Sequence, residues 1–116
     1  MSPIGAARLS KRIRIQRRSS TKDSLGEPLL VWTDIASVWA DVQPLTGREL
    51  ESARRLSSEV THQITVRHRA ILSATREVAG LRVLFGGRIL NIHACLDEDG
   101  AGVLINLFAS EGGNDG

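Results

Sequence analysis

The 116-residue sequence has no tyrosine, only two phenylalanines and only two tryptophans. Apolar residues still make up 41% of it, so any core must be largely aliphatic, a composition suited to thin β-structures. The single cysteine, Cys95, excludes an internal disulfide. Its apolar surroundings point to a buried structural thiol in a chain made in a reducing compartment. No apolar run approaches the ~18 residues of a membrane span, and Met1 to Arg8 lack the apolar segment of a signal peptide. A soluble protein made in the cytoplasm, without a membrane partner, is therefore expected. No phosphate-binding loop or dinucleotide fingerprint is present, since Gly86-Gly87 and Gly100-Ala101-Gly102 read as turn glycines. At this length a single domain spanning residues 1–116 can bury its own core.

Acids are missing from one end and cations from the other. Seven of the fifteen cations, Arg8 to Lys22, precede the first acid, Asp23, which leaves eight cations against thirteen acids in the remainder. From Asp97 onward the chain carries only acids: Asp97, Glu98, Asp99, Glu111 and Asp115. Such runs can be solvated faces. They can also be the two halves of a contact, with Arg12, Arg14 and Arg17 of one copy meeting Asp97, Glu98 and Asp99 of another, or the basic end meeting DNA.

Periodicity indicates about six short strands separated by turns, the pattern of an all-β barrel or sandwich. Arg12-Ile13-Arg14-Ile15-Gln16-Arg17 alternates cleanly. Ser19 to Pro28 is a loop by composition. Leu29 to Thr33 and Ile35 to Val42 form the second strand, with a bend or bulge at Thr33-Asp34, and Pro44 ends it. Val60 to Arg69 is the third strand. Leu81 to Phe85 and Arg88 to Cys95 form a hairpin on the Gly86-Gly87 turn, and Val103 to Phe108 is the last strand. Residues 70–80 are ambiguous between a loop and a helical turn. Residues 1–10 and 110–116 are expected to be a flexible start and a disordered tail. Trp39, between Val38 and Ala40, is expected to be the largest core anchor, and Trp32, Phe85 and Phe108 also fall in strands that should fill the core.

Between the second and third strands lies an insert, residues 43–59, too long for a tight turn; such connections are usually functional or disordered. Thr46 with Glu49 has capping-box spacing, and Glu51 with Arg55 is a favourable helical pair, so the insert reads as partly helical. Its apolar stripe of Leu50, Ala53 and Leu56 is narrow. A helix of roughly ten residues is marginal alone, so support from another subunit or partner, or mobility, is expected. Thr46, Gly47, Arg48, Glu49, Leu50, Arg54 and Arg55 are its candidate working residues.

Enzyme chemistry finds little support. His62 and His68 share a strand face and His93 lies elsewhere, without a ligand cluster around them, so all three read as structural and no metal is expected. Cys95 lacks a glycine elbow or basic setting and does not read as a nucleophile. No cofactor is expected.

Several blocks taken together resemble the head-tail joining proteins (head closure or stopper proteins) of tailed bacteriophages. These are Arg12-Ile13-Arg14-Ile15-Gln16, Asp23-Ser24-Leu25-Gly26, Val38-Trp39-Ala40-Asp41-Val42-Gln43-Pro44-Leu45-Thr46-Gly47-Arg48-Glu49, Thr61-His62-Gln63-Ile64-Thr65-Val66-Arg67 and Phe85-Gly86-Gly87-Arg88-Ile89-Leu90-Asn91-Ile92. They follow the family's order across residues 9–108, and the set is more specific than any block. Residues 70–81 depart from the family, being longer and more apolar than its usual short polar turn. The resemblance implies a small β-barrel in a homo-oligomeric ring, hexameric or dodecameric, in the neck of a virion. Portal and adaptor proteins would lie above it, the tail terminator below, and packaged double-stranded DNA in its channel. It also implies that Gln43 to Glu59 project toward the channel or neighbouring subunits. Infectious phages, prophages and gene transfer particles all carry the family. The alternative is a monomeric nucleic-acid-binding β-barrel with the basic first strand as its groove. Such binders stack bases on exposed aromatic rings, which makes aromatic exposure the discriminating observation.

Overall fold

A computed structural model describes residues 9–18, 24–27, 31–67, 80–97 and 103–112. Six strands, β1 (Lys11–Arg18), β2 (Trp32–Pro44), β3 (His62–Arg67), β4 (Leu81–Phe85), β5 (Arg88–Asp97) and β6 (Leu104–Glu111), form a closed antiparallel barrel, with one short helix, α1 (Gly47–Ala53), between β2 and β3. The strand order is β1-β2-β3-β6-β5-β4, and β1 pairs with β4 to close it. Closure leaves no open edge for another chain to extend.

The alternation of β1 sets the inward phase. Ile13 and Ile15 are buried while Arg12 and Arg14 face solvent. Ile13 pairs with Val38, and Arg12 with Trp39. Cross-strand partners share a face, so Val38 and Ala40 enter the core and Trp39 does not. Trp39 is 54% exposed, which overturns its expected role as core anchor. The core is aliphatic instead, built around Ile13, Ile15, Ile64, Val66, Val83, Leu90, Ile92 and Leu107. Phe85 packs on its margin. Trp32 is half-buried, with the Arg82 guanidinium carbon 4.2 Å from its ring centroid.

The expected irregularity in β2 exists, one residue later than the sequence suggested. Ile15 pairs with Ala36 and Gln16 with Asp34, so Ile35 is the extra residue of a bulge. The buried Gln16 then lies between polar partners: its Nε2 donates to Asp34 Oδ1 at 2.6 Å, and its Oε1 accepts from Arg82 Nε at 2.8 Å. Arg14 adds an ion pair to Asp34 at 3.3 Å. A buried amide left unpaired would be costly, and here both its ends are satisfied.

Several boundaries move. Gln43 and Pro44 belong to β2, pairing with Gln63 and His62, so the insert proper begins at Leu45. Leu9 is buried rather than part of a flexible start. Ser110 and Glu111 extend β6, pairing with Asn91 and Leu90, so the expected tail begins too early. Residues 1–8, 19–23, 28–30, 68–79, 98–102 and 113–116 lie outside the described residues. They include His68, Glu98, Asp99, nearly all of the ambiguous segment and the end of the tail. The Gly86-Gly87 turn has φ +54° and +86°, the geometry a two-residue hairpin needs and glycine supplies without strain.

Candidate functional site

The insert is anchored to its own barrel. Leu45, Ala53 and Val60 form a second buried cluster, with Leu50 and Phe108 packed against it. The narrow stripe visible in the insert is thus widened by one apolar residue on each side of the helix and by Phe108 from β6, so the expected dependence on a partner does not hold. Leu56, counted in the stripe, is 46% exposed. The backbone ladder continues past the strands: Leu45 N–H donates to Thr61 O, and Thr61 N–H to Ala109 O, both at 2.9 Å.

Thr46 is the extended residue preceding α1, but its side chain makes no capping hydrogen bond. The capping-box expectation fails; only the backbone is engaged, Leu50 N–H donating to Thr46 O at 3.3 Å. Gly47 has φ +56°, a left-handed entry into the helix that a side chain would strain. Arg54 reaches back to Val60 O at 3.5 Å, while Arg48, Glu49 and Arg55 face solvent.

At the same pole the barrel mouth is closed by a polar cluster absent from the sequence reading. His62, Arg88 and Glu111 each occupy the inward phase of their strands, two residues beyond Ile64, Leu90 and Ala109. Arg88 donates from Nε and Nη2 to the two carboxylate oxygens of Glu111, both at 2.7 Å, and Nη2 also approaches His62 Nε2 at 3.2 Å. A guanidinium can only donate, so Nε2 is the acceptor and Nδ1 carries the proton, donating to Thr61 Oγ1 at 2.9 Å. Burial lowers the His62 pKa; the Glu111 charge opposes this and the Arg88 charge adds to it. The Arg88 hydrogen bonds hold the Glu111 pKa below the usual carboxylate value. Three residues from three strands carry no local spacing by which the sequence could have shown this cluster. Among the described residues no group of three His, Cys, Asp or Glu side chains could hold a metal ion.

The charged residues expected at an interface separate onto different walls. Arg12 and Arg14 lie on the outer face of β1, Arg17 is exposed near the strand's end, and Asp97 ends β5 with β4 between the two strands. Arg12 donates from Nε to Ser37 Oγ at 3.1 Å and lies 5.1 Å from the Trp39 ring centroid. A shallow groove of about 530 Å³ beside this pair is lined by Arg12, Arg14, Arg82, Leu84 and the Gly86-Gly87 turn. A second groove, about 520 Å³, opens between α1 and the outer wall of β3, β6 and β5, where Leu56, Leu96 and Phe108 meet.

This barrel, with its helical insert between the second and third strands, matches the phage head completion protein family model over residues 4–112. The chain belongs to that family. It is a structural family of phage and phage-like particles. Head completion protein gp7 of Enterobacteria phage HK97 is 26% identical over 105 residues, covering 90% of this chain and 94% of that protein. The solution structure of protein SF1141 from Shigella flexneri 2a superposes with a TM-score of 0.73 at 29% identity, covering 92% of this chain and 96% of that one. A chain of a native gene transfer agent virion shares the fold, with a TM-score of 0.58 at 24% identity over 88% of this chain and 94% of that one.

Proposed function

We propose that this head completion protein works as a single-domain subunit of a homo-oligomeric ring, hexameric or dodecameric, in the neck of the particle. The ring retains packaged double-stranded DNA, meets portal or adaptor proteins on one side and receives the tail terminator on the other. It is assembled in the bacterial cytoplasm. The observation that carries this reading is the family match across nearly the whole chain, joined to a closed barrel carrying a separately packed insert at one pole.

The insert is the proposed channel element. Its exposed Arg48 and Arg55, with Arg54, are interleaved with Glu49, Glu51 and Glu59, so it obstructs by bulk rather than by clamping phosphates. Each phosphate contact would add salt dependence and slow DNA exit. In the ring the insert pivots at Gly47 and at Ser57-Ser58 when DNA passes. Heads assembled with the insert trimmed on its face away from the groove, by Glu51→Ala, Arg54→Ala and Glu59→Ala, should contain the ring, seen by negative stain, yet lose DNA. Heads that keep their DNA would place the gate elsewhere.

A second reading, a monomeric nucleic-acid-binding barrel, draws support from the exposed Trp39 beside Arg12, because bases stack on exposed aromatic rings. Gel shifts separate the two: tight, Trp39-dependent binding of single-stranded DNA by a monomer that is missing from particles favours the second.

A further inference from the structure

Among the described residues, two apolar features of the barrel's outer surface have opposite shapes. One is convex: Trp39, 54% exposed on β2, with Arg12 against its ring and Asp41 two residues along the same face. The other is concave: the groove between α1 and the barrel wall, where Leu56 and Leu96 are 46% and 49% exposed beside the half-buried Phe108. Charges of both signs border each feature. Arg48, Glu49 and Arg55 line the helix side of the groove.

We infer that Trp39 of one copy seats in the α1–β6 groove of the next, with Arg12 meeting Glu49 and Asp41 meeting Arg48 or Arg55. The inference rests on the ring reading and names its subunit contact. Three arguments favour a second copy as the occupant. The groove offers aliphatic and aromatic lining to a large flat side chain, and tryptophan and arginine are the residue types that dominate interface energetics. Both signs of charge are matched, whereas DNA would complement only the cations and would meet Asp41 and Glu49 unfavourably. The two features also occupy different walls: from β2 the shorter way to β6 passes through β3. Such a contact is heterologous, the kind that builds a ring when its rotation closes and cannot make a two-fold dimer.

The test is a directed cross-link on the full chain, with Cys95 replaced by alanine to remove the native thiol. One variant carries Ser37→Cys, on the same outer face as Trp39 and leaving the tryptophan in place, and another Leu96→Cys. Under a short bismaleimide each alone should stay uncross-linked, their mixture should give a dimer, and the double variant should give a ladder ending at a closed ring. Trp39→Ala should lower ring yield in assembled particles by about tenfold or more, while its denaturation midpoint stays near that of the parent. The charge reversal Arg12→Glu should impair rings, and Glu49→Arg in the same chain should restore them. Particles that contain rings but give no cross-link between positions 37 and 96, or a cross-link between two copies of position 37 in its place, would overturn the contact while leaving the ring reading intact. Particles in which the chain is never annular would overturn both. Loss of single-stranded DNA binding in Trp39→Ala with rings unaffected would reassign the face to nucleic acid.

Discussion

Glu111 receives two hydrogen bonds of 2.7 Å from Arg88, tying the last residue of β6 to the first of β5. The backbone N–H of Glu111 also donates to Thr61 Oγ1 at 3.0 Å, and the Thr61 hydroxyl accepts from His62 Nδ1. The neutral ring of His62 is thus held between an acceptor and a donor. Glu111→Ala removes the charge that favours protonated His62, so the His62 pKa should fall further below 6.5. An NMR titration of the imidazole checks this; an unchanged or raised value would mean Glu111 does not act on the ring.

Acid stability should follow His62. Its folded pKa is lowered, so the unfolded chain binds the proton more readily. Stability should therefore be complete above about pH 6.5 and fall as pH drops from there toward the folded value. Glu111, also lowered, adds a second loss at more acid pH, as its carboxylate is protonated. His62→Gln should flatten the first of these steps and keep the second. Denaturant midpoints measured from pH 8 to pH 3 would show both, and a His62→Gln profile with the first step intact would assign that step to another group.

The insert and the barrel should separate energetically. Ala53 is 3% exposed beneath α1, and Ala53→Asp would force a charge into an apolar contact. Amides of residues 47–57 should lose hydrogen-exchange protection while those of β1 and β6 retain theirs. Uniform loss across all strands would show the insert to be part of the barrel's cooperative unit.

Trp39 and Ile64 should give opposite results from what their sizes suggest. Ile64 is fully buried, so Ile64→Ala should cost about 2–5 kcal/mol. Trp39→Ala, on an exposed face, should cost under about 1 kcal/mol. Equilibrium urea unfolding compares them directly, and a Trp39→Ala loss as large as that of Ile64→Ala would return Trp39 to the core.

The strands, the aliphatic core and the glycine turn were legible because each is written in short-range pattern. Trp39 was misplaced by ranking size above phase: had β2 been aligned to the clean alternation of β1, Arg12 opposite Trp39 would have placed the ring outside. The insert's anchorage was only half legible. Leu45 and Val60 stand just outside the helix in sequence, and Phe108 arrives from a strand that begins more than forty residues after the insert. His62, Arg88 and Glu111 had no sequence signal at all, since only barrel closure makes them neighbours.

Closure through β1 and β4 also has a cost in time. Arg14 pairs with Leu84, so during synthesis the first strand waits with one side unpaired until most of the chain has left the ribosome. Pairings this distant in sequence form slowly, and an unpaired apolar strand invites aggregation. The outward arginines of β1 meanwhile keep neighbouring nascent chains apart. The basic amino-terminal strand is in this sense a built-in guard for the unfinished barrel. A chain truncated before β4 should accumulate as aggregate, and more so once Arg12 and Arg14 are neutralised.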